Sequence, residues 1–209
     1  MNRKKSDEII TILKEVIPNP GCELNYNNLF ELIVAVSLSA QTTDKRVNSI
    51  TPILFNKYPS PESLGNAELD DVINIIKPLG FANNKAKNII EMSKAIHDQF
   101  NDQIPSNIEL LTTLPGVGRK TALVVLAEGF KIPALPVDTH LIRMASRLGY
   151  SKSNDPVKVE EDYKKYIRKE DWIISHHLFL LFGRYHCKAT SPECSNCRLV
   201  DYCKFNKKK

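Results

Sequence analysis

The stretch of this sequence that most constrains its fold is a four-residue turn, Pro115-Gly116-Val117-Gly118, between two apolar segments. The segments, Ile108–Leu114 and Thr121–Ala127, have the composition of helices. Pro115 presets one turn position, and the two glycines permit backbone angles and close approaches that a side chain would block. We therefore predict two helices joined by a tight hairpin.

The second of these helices is apolar on all sides, so we expect it to be buried, with its N-terminus as its exposed chemical feature. A helix N-terminus carries N–H groups without intrahelical partners and the positive end of the helix dipole, and it binds anions such as phosphate. Lys120 lies in the first turn, where the dipole and desolvation disfavour its charge and make a neutral amine more accessible. The alternative is a plain helix–helix turn with Lys120 as a solvated surface charge. A phosphate-binding P-loop is excluded, because Arg119 separates Gly118 from the lysine.

Helical periodicity recurs along the chain, and no stretch shows the sustained alternation of a strand, so the predicted fold class is all-α. Ser6 is the predicted N-cap of the first helix, and Asp138 opens a helix that ends at Gly149. Apart from the hairpin pair and the helix that Asp138 opens, the predicted helices are Ser6–Ile17, Leu29–Ala40, Thr43–Phe55, Asn66–Ile76, Asn83–Phe100, Pro156–Ile167 and Trp172–Gly183.

Charge and hydropathy indicate which partners to expect. Lysine and arginine number 29 against 24 acidic residues, and the excess lies near the C-terminal end, which favours a polyanionic partner. The apolar run Leu29–Ala40 contains Glu31 and is far shorter than the ~20 residues of a membrane span. With no signal peptide visible, we expect a soluble intracellular protein that does not bind membranes. The cations at the C-terminal end are Arg184, Lys188, Arg198, Lys204, Lys207, Lys208 and Lys209.

Four cysteines lie close together in one loop-rich segment, with the spacing C-x6-C-x2-C-x5-C. Four thiolates this close can enclose one tetrahedral metal ion or one iron–sulfur cluster, and the spacing alone leaves zinc and iron–sulfur equally open. Disulfide bonds are disfavoured by the expected intracellular setting. Cys22 stands apart and is interpreted as a small hydrophobic residue. The four clustered residues are Cys187, Cys194, Cys197 and Cys203.

Several of these motifs together resemble the endonuclease III family of DNA glycosylases. The segment Leu114–Ala122 resembles the helix-hairpin-helix of that family, and Pro136-Val137-Asp138-Thr139-His140 follows at the family spacing, with Asp138 eighteen residues after Lys120. Ser39-Ala40-Gln41-Thr42-Thr43-Asp44 resembles the family's glutamine-bearing loop, and the cysteine spacing also matches. The resemblance covers essentially the whole chain.

The resemblance implies two helical domains with an active-site cleft between them. Residues 22–132 would form a domain that contains the helix-hairpin-helix, and residues 1–21 plus 133–209 would form a domain that holds an iron–sulfur cluster loop. Lys131–Pro136 is the predicted boundary connection. The implied cofactor is a [4Fe–4S] cluster on Cys187, Cys194, Cys197 and Cys203, with a structural role in pinning its loop.

The implied activity is that of a bifunctional DNA glycosylase and AP lyase of base excision repair that acts on oxidised pyrimidines. Lys120 would form a Schiff base with the sugar, and the strand would be cut by β-elimination. Asp138 would act either as a base toward Lys120 or as an electrostatic stabiliser, and it would also be a helix N-cap. His140, His176, His177 and His186 are interpreted as structural.

The implied partner is damaged double-stranded DNA, bound by a monomer in the cytoplasm, at the nucleoid if the source is bacterial. Extruding a base leaves a gap that the protein must fill. Gln41 and Phe81 would fill it, although Leu is usual in the family at the position of Phe81. The other implied DNA contacts are Gly116, Gly118, Arg119, Lys188 and Arg198.

Two rival functions are weighed. An adenine-specific mismatch glycosylase would share the fold and cluster but would lack the lysine at position 120 and carry an additional C-terminal domain, whereas this chain has Lys120 and ends six residues after Cys203. A non-catalytic module would use the hairpin only to grip phosphate, and the presence of both Lys120 and Asp138 argues against it. Leu123 stands where the bacterial enzyme typically has Asn, which leaves the range of damaged bases open.

Overall fold

A computed structural model describes residues 1–205 as an all-α protein, which confirms the predicted fold class. No β-strand occurs in this part of the chain. The predicted basic residues Lys207, Lys208 and Lys209 lie outside the described residues. The α-helices are α1 Arg3–Val16, α2 Leu29–Leu38, α3 Asp44–Lys57, α4 Pro61–Gly65, α5 Leu69–Ile76, α6 Ala82–Phe100, α7 Ile108–Leu111, α8 Arg119–Gly129, α9 Thr139–Leu148, α10 Pro156–Lys164 and α11 Trp172–Tyr185.

The chain divides into two compact units. One unit is Glu23–Ile132, and the other combines Met1–Cys22 with Pro133–Lys209. Cys22 therefore belongs to the unit that contains the N-terminal helix, whereas the sequence prediction assigned it to the other one. That each unit is an independent domain, with a catalytic cleft between the two, stays a prediction.

In the unit Glu23–Ile132, α2 is a buried helix, as its apolar run predicts. Its one charged residue, Glu31, is satisfied where the helix begins, because the Glu31 carboxylate accepts hydrogen bonds from the backbone N–H and the side-chain amide of Asn27 at 2.7 and 2.9 Å. Asn28 caps the helix by accepting from the Glu31 backbone N–H at 2.9 Å. The apolar face of α2 packs on α8, and α4 packs closely on α6.

In the other unit, three aromatic rings form the centre of the core. The centroid of Tyr163 lies 4.7 Å from that of Tyr150 and 5.0 Å from that of Phe179. The Tyr163 hydroxyl donates to the Leu141 carbonyl at 3.0 Å, and the Tyr150 hydroxyl lies 2.8 Å from the Ser6 hydroxyl, so both buried polar groups have partners.

The predicted N-cap of the first helix is wrong. Helix α1 begins earlier, because the Asn2 side chain accepts from the Lys5 backbone N–H at 2.9 Å and so provides the cap. Ser6 lies inside the helix and is buried against Tyr150. Serine is a common N-cap residue, which is why the sequence predicts Ser6 as the cap. Its hydroxyl instead forms a hydrogen bond inside the core.

Three other helix assignments need correction. Helix α7 ends at Leu111, because the Thr112 and Thr113 hydroxyls bond to the preceding carbonyls of Ile108 and Leu110 at 2.9 and 2.7 Å. The predicted Asn66–Ile76 helix begins only at Leu69. Helix α4 was missed, because its Ser60 capping box and first-turn proline resemble a loop in sequence.

In the described part of the chain, every helix is too short or too polar to cross a membrane.

Candidate active site

The hairpin between α7 and α8 is a tight turn anchored by two buried apolar side chains. Leu114 and Val117 are both buried, and the Val117 N–H donates to the Leu114 carbonyl at 3.1 Å. Gly116 has a φ of +75°, and a Cβ added there would lie 2.9 Å from the Asn88 Cβ on α6. Position 116 therefore requires glycine for both its backbone angle and its packing.

The second hairpin glycine has a different role. Gly118 is the N-cap of α8 with an extended φ of −84°, and no atom lies within 4 Å of a Cβ added to it. Because Gly118 has no side chain, it makes no side-chain cap hydrogen bond, and the first intrahelical bond runs from the Ala122 N–H to the Gly118 carbonyl at 3.0 Å. The N–H groups of the first turn precede this bond and point toward the open end of α8.

Lys120 lies in this first turn and is exposed. The rest of α8 is buried through Ala122, Leu123, Val125, Leu126 and Ala127, as its apolar composition predicts. An exposed amine at the positive end of a helix dipole stands beside N–H groups that attract anions. Arg119, one residue earlier, is also exposed and adds a second cation. This end of α8 can hold a phosphate close to a primary amine.

Asp138, in the other unit, is the N-cap of α9. One carboxylate oxygen, Oδ1, accepts from the backbone N–H groups of His140 and Leu141 at 2.8 and 3.0 Å. The predicted capping role is therefore confirmed. The two bonds fix the direction of a half-buried negative charge, and such a preoriented charge can stabilise a developing positive charge on a substrate.

His140, which is predicted to be structural, is half-buried beside Arg143. Burial lowers the pKa of His140, which favours a neutral imidazole near pH 7, and its Nδ1 lies 3.0 Å from Arg143 Nη2. His176 is buried, with its Nδ1 2.8 Å from the Pro136 carbonyl.

Within the unit Glu23–Ile132, the structure brings Gln41, Phe81 and Gly116 to one cavity of about 260 Å³. Gln41 and Phe81 both have left-handed backbone, with φ of 55° and 52°. Phe81 is 67% exposed, so it is not a residue of the core. Two predicted gap-filling residues therefore stand at the rim of the same depression.

Sequence reasoning made no prediction for a further residue of this cavity, Lys85 on α6. Its side chain is buried, and its Nζ donates to the Thr42 hydroxyl at 2.7 Å and to the Leu79 carbonyl at 3.2 Å. Burial lowers the pKa of the Lys85 ammonium group. The signal in the sequence was its helical register, because Lys85 lies four residues before Ile89 on the apolar face of α6.

The four clustered cysteines line a second cavity, of about 570 Å³, in the unit that contains both Met1 and Pro133. No disulfide bond joins any of the five cysteines, all of which are described. Burial raises the pKa of the Cys197 thiol, and the three neighbouring thiols add to this effect. Within residues 1–205, no group of histidine, cysteine, aspartate or glutamate side chains is arranged to hold a metal ion.

Two arginines of α9 hold the cysteine loop. Arg147 is buried, and its guanidinium donates to the Cys187 sulfur at 3.0 Å and to the Lys188 carbonyl at 2.8 Å. Arg143 Nε donates to the Cys187 carbonyl at 3.0 Å. These bonds satisfy carbonyl groups that a loop without regular structure leaves unpaired.

The predicted phosphate contacts Lys188 and Arg198 are exposed and already form ion pairs. Lys188 Nζ lies 2.8 Å from a Glu193 oxygen, and Arg198 Nη2 lies 2.6 Å from a Glu15 oxygen. Exposed pairs of this kind contribute about 0–1 kcal/mol, so exchanging the carboxylate for a phosphate costs little. Their role toward DNA stays a prediction.

Known proteins share the sequence pattern and the fold of this chain. A protein-family model described as HhH-GPD superfamily base excision DNA repair protein matches residues 34–169. Endonuclease III of Bacillus subtilis (strain 168) is 43% identical over 210 residues, with 100% of this chain and 96% of the relative covered. The solved structure of a non-covalent endonuclease III–DNA complex matches with a TM-score of 0.95 and 41% identity, covering 100% of this chain and 98% of that chain. A trapped endonuclease III–DNA covalent intermediate, an estranged-adenine complex, matches with the same TM-score of 0.95.

The two hairpin glycines give a matched test of the geometry. Gly116→Ala places a Cβ in a left-handed backbone and against Asn88, so we expect the free energy of unfolding to fall by about 1–3 kcal/mol. Gly118→Ala meets no neighbouring atom, and we expect a change within ~0.5 kcal/mol. Urea denaturation of both variants measures the difference, and duplex DNA titration should show weaker binding for Gly116→Ala. Equal losses of stability would contradict this account of the turn.

Proposed function

This chain belongs to the endonuclease III family within the HhH-GPD superfamily of base excision DNA repair proteins, and we propose that Lys120 is the nucleophile of its combined DNA glycosylase and AP lyase activity. The observation that carries this assignment is the exposed amine in the first turn of α8. The hairpin that precedes it presents N–H groups suited to a DNA phosphate. A nucleophile next to a phosphate-binding turn would be held beside the sugar of the same strand.

The covalent bond between the Lys120 amine and the sugar serves both halves of the reaction, release of the base and cleavage of the strand. The Lys120 nitrogen lone pair attacks the C1′ atom of the damaged nucleoside, and the glycosidic bond breaks with its electrons leaving on the base. The C1′–O4′ bond then breaks, an amine proton passes to O4′, and a Schiff base forms between Lys120 and C1′. The iminium withdraws electrons from C2′, so a base removes a C2′ proton, a double bond forms between C2′ and C3′, and the C3′–O bond breaks with its electrons leaving on the phosphate. A site that has already lost its base requires only the later steps, Schiff-base formation and β-elimination. We propose oxidised pyrimidines as the substrates.

Asp138 supplies negative charge to this chemistry. Its Oδ1 is held by two backbone N–H groups of α9. A carboxylate fixed in this way can accept a proton from the Lys120 ammonium or stabilise the cationic sugar, and both roles use the same charge.

DNA binding combines phosphate contacts with filling of the gap left by the extruded base. Gly116, Gly118 and Arg119 at the hairpin would meet the phosphate backbone, and Lys188 and Arg198 would add charge after leaving their carboxylate partners. Gln41 and Phe81 would enter the duplex, since both stand at the rim of one cavity and Phe81 exposes its ring to solvent.

The proposed cofactor is a [4Fe–4S] cluster held by Cys187, Cys194, Cys197 and Cys203. The chemistry of the donor set fits, because thiolates are the ligands of such a cluster and the four cysteines all line one cavity of about 570 Å³. A bound cluster supplies four iron–thiolate bonds that cross-link the loop. The Arg147 hydrogen bond to the Cys187 sulfur orients that ligand.

The oligomeric state and the cellular location of the protein are also proposals. We propose that the protein acts as a monomer in the cytoplasm, at the nucleoid if its source is bacterial. A duplex oligonucleotide with one damaged base would then bind one protein chain, which sedimentation of the complex measures.

The nucleophile can be trapped. Borohydride reduces a Schiff base, so adding it during the reaction should cross-link the protein to DNA that contains an oxidised pyrimidine. Lys120→Gln should abolish the cross-link while binding to damaged DNA remains, because the phosphate contacts are unchanged. Lys94→Gln, at an exposed lysine of α6, is the matched control and should trap like the wild type. Undiminished trapping by Lys120→Gln would assign the nucleophile to another residue.

The role of the Asp138 charge can be separated from its role as a cap. Asparagine caps helices about as well as aspartate, so Asp138→Asn should fold normally. If the charge is needed, base release should slow by several orders of magnitude, roughly 3–5 kcal/mol at ~1.4 kcal/mol per decade. Single-turnover kinetics measure this rate, and thermal unfolding checks the fold. A rate within about twofold of the wild type would leave Asp138 as a cap only.

The cluster has a direct chemical signature. Protein purified without air should be yellow-brown and contain about four iron atoms per chain. Cys194→Ser should lower iron content and thermal stability and weaken DNA binding, while Cys22→Ser should leave iron content unchanged. Elemental analysis and visible absorption give the answer. Stoichiometric zinc in place of iron would refute the assignment.

A further inference from the structure

Lys85 is a buried lysine on a helix whose other cations are exposed. It is 8% exposed, on the same apolar face of α6 as Ile89 and Met92. Burying an ammonium group removes its hydration, and such a group is retained only where it has strong hydrogen-bond partners. The partners of Lys85 therefore indicate what it does.

These partners belong to two different segments. Lys85 Nζ donates to the Thr42 hydroxyl at 2.7 Å, and Thr42 follows Gln41 directly. It also donates to the Leu79 carbonyl at 3.2 Å, two residues before Phe81. The Thr42 hydroxyl in turn donates to the same Leu79 carbonyl at 2.7 Å, which closes a triangle of three hydrogen bonds.

The backbone of Lys85 adds a further contact. Its N–H donates to the Phe81 carbonyl at 3.0 Å, in the first turn of α6. This is the regular helical bond that any residue at position 85 would make, so the contact that is specific to the lysine is its side-chain bond to the Leu79 carbonyl, two residues before Phe81. The Gln41 segment is attached to the same turn through Thr42.

The two residues held in this way have strained backbones. Gln41 and Phe81 have φ of 55° and 52°, in the left-handed region of backbone conformation that residues other than glycine and asparagine rarely adopt. Such conformations persist only where surrounding contacts fix them, and they occur preferentially at functional sites. The Lys85 triangle joins the segments that carry the two strained positions.

We propose that Lys85 is a positioning residue that sets the Gln41 loop and the Phe81 turn in register, so that both side chains enter the gap left by an extruded nucleotide together. This inference rests on the proposed gap-filling role of Gln41 and Phe81. Without Lys85, the Thr42–Leu79 hydrogen bond is what remains of the triangle between the Phe81 turn and the Gln41 loop, and part of the DNA-binding free energy would be spent on ordering the two segments.

The test compares binding to duplex DNA with a tetrahydrofuran abasic analogue and binding to the same duplex without damage. Lys85→Met keeps the length and burial of the side chain and removes both side-chain hydrogen bonds. We expect affinity for the abasic duplex to fall about tenfold, within the usual range for coupled contacts, while affinity for undamaged duplex stays within about twofold. A general loss of fold would lower both affinities together.

A fluorescent base reports on insertion itself. With 2-aminopurine opposite the analogue, filling the gap unstacks that base and raises its fluorescence. Lys85→Met should reduce this rise at saturating protein, which a change in affinity alone would not. Lys87→Met is the matched control, since Lys87 is an exposed lysine on the same helix, and it should behave like the wild type.

A double-mutant cycle with Phe81→Ala shows whether Lys85 acts through Phe81. We expect the double variant to bind the abasic duplex about as well as Phe81→Ala alone, because Lys85 then has no Phe81 ring to align with Gln41. If the two losses multiply in full, or if Lys87→Met has the same effect as Lys85→Met, the proposal is overturned.

The outcomes separate this proposal from the proposed function. If Phe81→Ala binds the abasic duplex like the wild type, the gap-filling role of Phe81 is wrong, and the cycle with Gln41→Ala decides on Lys85 by the same criterion. If Phe81→Ala is impaired and Lys85→Met is not, the proposed function stands and the role of Lys85 is rejected. Should Lys85→Met fail to fold, Thr42→Val removes the hydroxyl of the triangle at equal volume and should give the same selective loss for the abasic duplex.

Discussion

The burial of α8 is the constraint on which the candidate active site depends. Its side chains from Ala122 to Ala127 are largely in the core, so the helix can offer only its N-terminal end to a ligand. Gly116 allows the chain to turn into that end by packing against Asn88, where no side chain would fit. The amine of Lys120 is exposed because Lys120 lies in the first turn of α8, which the core does not cover.

Buried cations recur as the means by which this fold orders segments without regular structure. Lys85 joins two turns through Thr42 and Leu79, and Arg147 holds the cysteine loop through Cys187 and Lys188. In each case, one long side chain reaches from a helix to acceptors on loops. The desolvation of the cation is offset by several charge-assisted hydrogen bonds made at once. The helices are thereby able to fix the positions of loops that would otherwise have few contacts.

Sequence reasoning found the residues whose chemistry is carried by their type and local spacing. Lys120 in a first helical turn, Asp138 as a cap and four closely spaced cysteines are all local patterns, and the helical period made the all-α class evident. It failed where a residue has two possible uses. Ser6 has the type of an N-cap, yet its hydroxyl bonds to Tyr150, which lies 144 residues away in the sequence.

What the sequence determined by itself was therefore the fold class and the hairpin, and it also predicted the candidate site residues, because helix periodicity, turn composition and ligand spacing act over a few residues. Only the tertiary structure showed that Gln41, Phe81 and Gly116 line one cavity, and that Lys85 ties the first two together. These residues come from separate segments, and their proximity depends on how α2, α6 and the hairpin pack. Packing is a property of surfaces far apart in the chain, which no local pattern encodes.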